Sequence, residues 1–126
     1  MTLGIVMLCH TALDRAAAVA RHWAQAGCPV VIHLDRRVSN AERDGLTTML
    51  ADLPEIRFSD RVACEWGMFG LVEATILAST RLLQDFPEVS HVYLTSGSCL
   101  PLRPVAELKA HLAAHPGTDF IESVTT

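Results

Sequence analysis

The segment 91–104, HVYLTSGSCLPLRP, runs from an apolar stretch into Ser96-Gly97-Ser98 and then a turn stiffened by Pro101 and Pro104. Small polar residues at a strand end offer hydroxyls and backbone N–H groups to an anion or other polar ligand, and Gly97 permits close approach to the main chain. The plainer reading is a polar turn ahead of a helix. Asp35 closes the apolar run VVIHL. A carboxylate there accepts from ribose hydroxyls or a base N–H, or else it is a turn aspartate paired with Arg36 or Arg37, worth ~0–1 kcal/mol at a surface. In Cys64-Glu65-Trp66-Gly67-Met68-Phe69, Gly67 allows a turn or a near approach by a ligand. Trp66 either packs on a sugar or base or anchors the next helix in the core. Glu65 either pairs with a substrate hydroxyl or faces water. His10 ends the first apolar run, inside Cys9-His10-Thr11.

Other chemistries find less support. Of six histidines, only His111 and His115 share a helical spacing. Two imidazoles without a third ligand do not make a metal site, and the last turn of a helix favours cations on its own account. The four cysteines lack any C-x-x-C pair and read as free thiols. Neither G-x-x-x-x-G-K nor G-x-G-x-x-G occurs. Ser98 and Cys99 acquire no base from spacing, since such partners are neighbours in space rather than in sequence.

The elements that must position these residues alternate. Thr2–Cys9 and Val30–Leu34 are continuous apolar runs, as in strands covered on both faces. Between them, 11–26 places Leu13, Ala16, Ala17, Ala20, Trp23 and Ala24 at helical spacing, closed by Gly27 and Pro29. Ser39 or Asn40 caps a helix to about Asp52, with Leu46, Met49 and Leu50 inward. Ile56–Phe58 and 62–64 are short strand candidates. Residues 69–84 form the strongest helix, with Val72, Ile76 and Leu83 on one stripe and Leu71 and Leu82 beside it. A strand over 91–95, a helix over 105–115 and a strand over 119–123 follow. This order predicts an α/β fold: a Rossmann-like, mostly parallel sheet with helices on both faces, forming a single domain over 1–126. Ligands of such sheets lie beyond the carboxyl ends of the strands, which gathers 9–11, 35–37, 64–69 and 95–101 at one rim. A last strand without a closing helix suggests one half of a larger domain.

Composition narrows the class. Half of the 126 residues are hydrophobic and 19% are charged, enough to bury one core. The net charge is −4, with the Lys and Arg scattered, so a nucleic-acid surface is not expected. The opening apolar run lacks the flanks of a signal peptide and is too short to span a bilayer, so no transmembrane segment and a cytoplasmic location are expected. A flavodoxin- or receiver-like domain fits less well, because Cys9-His10 stands where a receiver carries its acidic pair.

In order, VMLCH, VVIHLDRR, ACEWGMFGLVEATILA and HVYLTSGSCLPLRP resemble the core-2/I-branching β-1,6-N-acetylglucosaminyltransferase and peptide O-xylosyltransferase family, from Leu3 to about Glu122. Its members show an "IHxD" strand, a "WG..S.V.A" helix start and an "LSGxDYPL" turn. The resemblance implies the N-terminal half of a GT-A-type glycosyltransferase acting in glycan synthesis, which inverts at the anomeric carbon and uses neither metal nor cofactor. Its partners would be a UDP-sugar donor (GlcNAc or xylose) and a glycan or other hydroxyl acceptor. Asp35 would contact the uridine, Trp66 and Gly67 would line the nucleotide-sugar pocket, and Ser96 and Gly97 would border sugar and acceptor; His10 and Glu65 share the rim. Cys99 and Leu100 stand where the family has an acid and an aromatic. The family's catalytic base belongs to a C-terminal half that nothing here matches, so these residues alone are not expected to turn over. The alternative is a non-catalytic nucleotide- or sugar-binding module derived from such an enzyme.

Overall fold

A computed structural model describes residues 2–63, 69–97, 101 and 103–119. The chain runs β1 (Thr2–Cys9), α1 (Leu13–Gln25), β2 (Val30–Leu34), α2 (Asn40–Met49), β3 (Ile56–Phe58), α3 (Gly70–Asp85), β4 (Val89–Ser96) and α4 (Val105–Ala114). The four strands form one sheet in the order β3-β2-β1-β4, and every pairing is parallel. The expected α/β Rossmann-like architecture is therefore present.

Strand alternation decides what each face carries. Ile5 and Met7 of β1 and Val30, Ile32 and Leu34 of β2 point to a core shared with Trp23 of α1, Leu46 of α2 and Leu112 of α4. Val6 and Val31 point the other way, onto Ala78 and Leu82 of α3. Helices thus cover both faces, which is why β1 and β2 read as unbroken apolar runs. Gly4 is required where α3 comes down: a Cβ there would stand 2.7 Å from a Leu82 methyl and 3.0 Å from one of Val89. Gly27 holds φ at +87° after α1, as its place in the sequence implied. Lys109 of α4 donates to the Ala26 carbonyl at 2.9 Å, tying α4 to the same end of α1.

Three expectations need correction. The Val72/Ile76/Leu83 stripe of α3 does not face the sheet; those side chains are 49%, 55% and 47% exposed, and Ala74, Ala78 and Leu82 are buried instead. The two stripes lie about 140° apart around the helix. Small residues win the inner face because they let the helix axis approach the sheet. Met49 is 41% exposed, since α2 turns only Leu46 and, at its C-cap, Leu50 into the core. No strand follows β3 before α3 among the described residues: the Val62 N–H goes to a histidine ring rather than a strand. Of the last expected strand, Asp119 is irregular and 120–123 lie outside the described residues.

Candidate functional site

The carboxyl ends of β1, β2 and β4 meet at one rim. Parallel register sets Cys9 beside Leu34 and Leu8 beside Ser96, so residues distant in the chain become neighbours. Because β2 and β4 flank β1 on opposite sides, the chain leaves this edge in two directions, the arrangement that opens a ligand crevice in α/β sheets. An open groove of about 890 Å³ lies there. His10, the first turn of α1, Asp35, Arg37, Ser39 and Glu42 line it. A smaller recess of about 230 Å³ on the α3 side shares His10, Asp35 and Arg37 and adds His33 and Leu71.

Asp35 is 2% exposed. Its carboxylate accepts from the Arg37 backbone N–H at 2.9 Å and from Arg37 Nε and Nη2 at 3.0 and 2.8 Å. The ion-pair reading of Asp35 holds with Arg37 as the partner, but the carboxylate is buried on the wall of the groove rather than at the open surface. The Arg37 side chain is 56% exposed and brings a held cation to the same wall. Ser39 accepts from the Glu42 N–H at 3.2 Å and caps α2, so the loop from Asp35 to Ser39 is pinned at both ends.

Ala12, the N-cap of α1, has φ 49° and ψ 50°, a left-handed conformation that a non-glycine residue holds only under constraint. It borders the groove, and nothing in the sequence marks it. Arg37 belongs to the 35–37 segment that the sheet rule brings to the rim, whereas Ser39 and Glu42 line the groove with no sequence signal beyond their nearness to Asp35.

Gly97 sits where β4 meets α1. A Cβ on it would lie 2.9 Å from Ala16 Cβ and 3.2 Å from Cys9 Sγ, so packing between strand and helix by itself requires a glycine. Ser96 is exposed at the rim. Cys9 is buried and its thiol is pushed up to about 12 by desolvation, which keeps it protonated and unreactive. His10, Asp35, Ser96 and Gly97 thus gather at one edge. Glu65, Trp66 and Gly67 lie outside the described residues, as do Cys64, Ser98 and Cys99.

His33, fully buried, joins the rim to the segment after β3: its Nε2 accepts the Val62 N–H at 2.9 Å, which requires a neutral ring. Desolvation holds its pKa below the usual histidine range; Asp35 opposes that shift and Arg61 adds to it. Because the folded value is lower than the unfolded one, the unfolded chain takes up the proton first as pH falls. Stability is therefore expected to decline from about pH 6.5 downward, until the folded-state pKa is passed. Urea titrations across pH should show the decline, and His33→Gln, whose amide oxygen replaces Nε2 as acceptor, should flatten it.

No helix among the described residues is long and apolar enough to cross a membrane. No curated protein matches the chain. Residues 29–126, well over half of the sequence, match the model of the Core-2/I-Branching enzyme family. That span begins just before β2 and takes in Asp35, the 64–68 segment and the Ser96-Gly97 turn. The chain belongs to the Core-2/I-Branching enzyme family, whose membership points in general to glycosyltransferase activity on a sugar donor and an acceptor.

Proposed function

We propose that this chain is the donor-binding part of an inverting, metal-independent glycosyltransferase that takes a UDP-linked GlcNAc or xylose. The observation that carries the reading is the groove at the carboxyl edge of the sheet, with Asp35 and Arg37 on one wall and the first turn of α1 on the other. A nucleoside diphosphate needs an acceptor for its base or ribose and positive potential for its phosphates. The buried carboxylate of Asp35 meets the first need. The Arg37 guanidinium and the N-terminal end of the 13-residue α1 supply the second, set against the Asp14 and Glu42 carboxylates that also line the groove. On the family pattern, Glu65, Trp66 and Gly67 are assigned to donor binding, and Ser96, Gly97 and His10 at the rim to the sugar and the incoming acceptor.

In the reaction the acceptor oxygen bonds to the anomeric carbon as the bond to the UDP oxygen breaks, and the acceptor proton passes to a base within about 2.6–3.2 Å. No residue of this chain is assigned as that base, so its part is to bind and orient the donor.

Calorimetric titration with UDP, UDP-GlcNAc and UDP-xylose tests the proposal. Saturable binding that EDTA leaves unchanged is the expected result. Absence of binding by all three nucleotides would overturn the donor-site reading, and binding abolished by EDTA would overturn its metal independence.

A further inference from the structure

Arg61 is absent from the described lining of the groove, yet it holds the loop that forms one wall. Its Nε donates to the Leu34 carbonyl at 3.2 Å, and its Nη2 donates to the carbonyls of Asp35 at 2.9 Å and Val38 at 2.6 Å. The Asp35 carbonyl also accepts the Val38 N–H at 3.0 Å, so Arg61 grips both ends of a tight turn whose middle residues are Arg36 and Arg37. The next residue adds two more ties: the Arg36 N–H donates to the Val62 carbonyl at 3.1 Å, and the Val62 N–H donates to His33. Five hydrogen bonds thus join two residues, 61 and 62, to the end of β2 and its loop.

This geometry has a chemical requirement. The three carbonyls are met from two nitrogens of one planar fork, Nε for Leu34 and Nη2 for Asp35 and Val38, whereas an ammonium would have to reach all three from a single nitrogen on a flexible stem. The charge alone is not what the site uses. Arg61 and Val62 stand four and three residues before Glu65 in the sequence, so the clamp fixes the chain shortly ahead of Glu65-Trp66-Gly67.

We propose that Arg61 is a positioning residue for donor binding: it sets the 35–38 turn so that the Asp35 carboxylate and the Arg37 guanidinium stand together on the groove wall. The inference rests on the donor-site reading above for its functional consequence, while the clamp itself belongs to the ligand-free protein.

The test uses the full chain with Arg61→Ala and Arg61→Lys. UDP affinity measured by calorimetry should fall by about tenfold or more in both variants. Lysine should not restore it, whereas added methylguanidinium should recover part of it in Arg61→Ala. In the absence of nucleotide, amide hydrogen exchange at Arg36, Arg37 and Val38 should quicken in both variants and slow again for Arg61→Ala when methylguanidinium is added. Should Arg61→Ala not fold, Arg61→Lys carries the same two measurements. Wild-type affinity together with unchanged exchange in a folded variant would overturn the proposal, and so would full rescue by lysine. If the wild-type protein binds no UDP, the donor reading falls and the functional role of Arg61 falls with it, while the exchange comparison still decides whether the clamp exists.

Discussion

Asp35→Ala should weaken UDP binding by between about ten- and a hundredfold, a change of roughly 1.4–2.8 kcal/mol. The same variant should lose stability. Among the described residues, Arg37 gives that carboxylate three hydrogen bonds. Bonds to charged groups contribute about 1.5–3 kcal/mol each when their partners are desolvated, and less where one partner is half-exposed, as Arg37 is. A net loss of about 2 kcal/mol is therefore the expectation. Asp35→Asn separates the two roles. It keeps the shape and one acceptor oxygen, which can still take the Arg37 backbone N–H and Nε, but the new amide nitrogen faces Nη2 donor to donor, so only part of the stability should return. The charge that orders Arg37 is gone and affinity should stay low. Calorimetry and urea denaturation on the two variants check this. UDP binding of wild-type strength in Asp35→Ala would take Asp35 out of the site.

Trp23→Ala should be the most destabilising single change, about 3–5 kcal/mol. Against a typical domain stability of roughly 5–15 kcal/mol, that leaves little or nothing. Trp23 is 1% exposed, the largest of the fully buried side chains, and its ring meets Tyr93 edge-on at 5.9 Å between centroids. Trp23→Phe should cost far less than its loss of area suggests. Among the described residues the buried indole Nε1 has no hydrogen-bond acceptor, and such an unmet donor costs about 1–3 kcal/mol. Phenylalanine removes that penalty while retaining an aromatic ring for Tyr93. Thermal or urea denaturation of the two variants decides the matter: equal losses would mean that the orphaned N–H carries no penalty.

How far the structure could be read in advance depended on what each signal reports. β1 and β2 have the bounds that their apolar runs indicated, because strands buried on both faces leave no ambiguity of phase; the short edge strand β3 has its expected bounds too, without being such a run. The caps were legible for the same local reason: Ser39 and Gly27 do what their chemistry allows and their neighbours do not. The orientation of α3 was not legible. Bulk suggested Val72 and Ile76, but the distance between helix and sheet is set by Ala74, Ala78 and the bare Gly4 on the facing strand. That is a pairwise property invisible along one helix. The rim followed from the rule for parallel sheets, which brought together His10, Asp35, Ser96 and Gly97. Arg61 could not be seen, since its partners are backbone carbonyls 23 to 27 residues away and a carbonyl has no letter in the sequence.

The pairing of β1 with β4 also bears on how the molecule comes into being. Thr2–Cys9 cannot complete its central place in the sheet until Val89–Ser96 has been synthesised. On the ribosome the nascent β1-α1-β2 unit would present an open apolar edge for several seconds at ordinary elongation rates of about 5–20 residues per second. Refolding of the full chain should correspondingly be slower than that of a helical domain of equal size, because closing so long a loop precedes any reward from the contact. The same pairing that unites the rim is thus one that the growing chain cannot make until late in its synthesis.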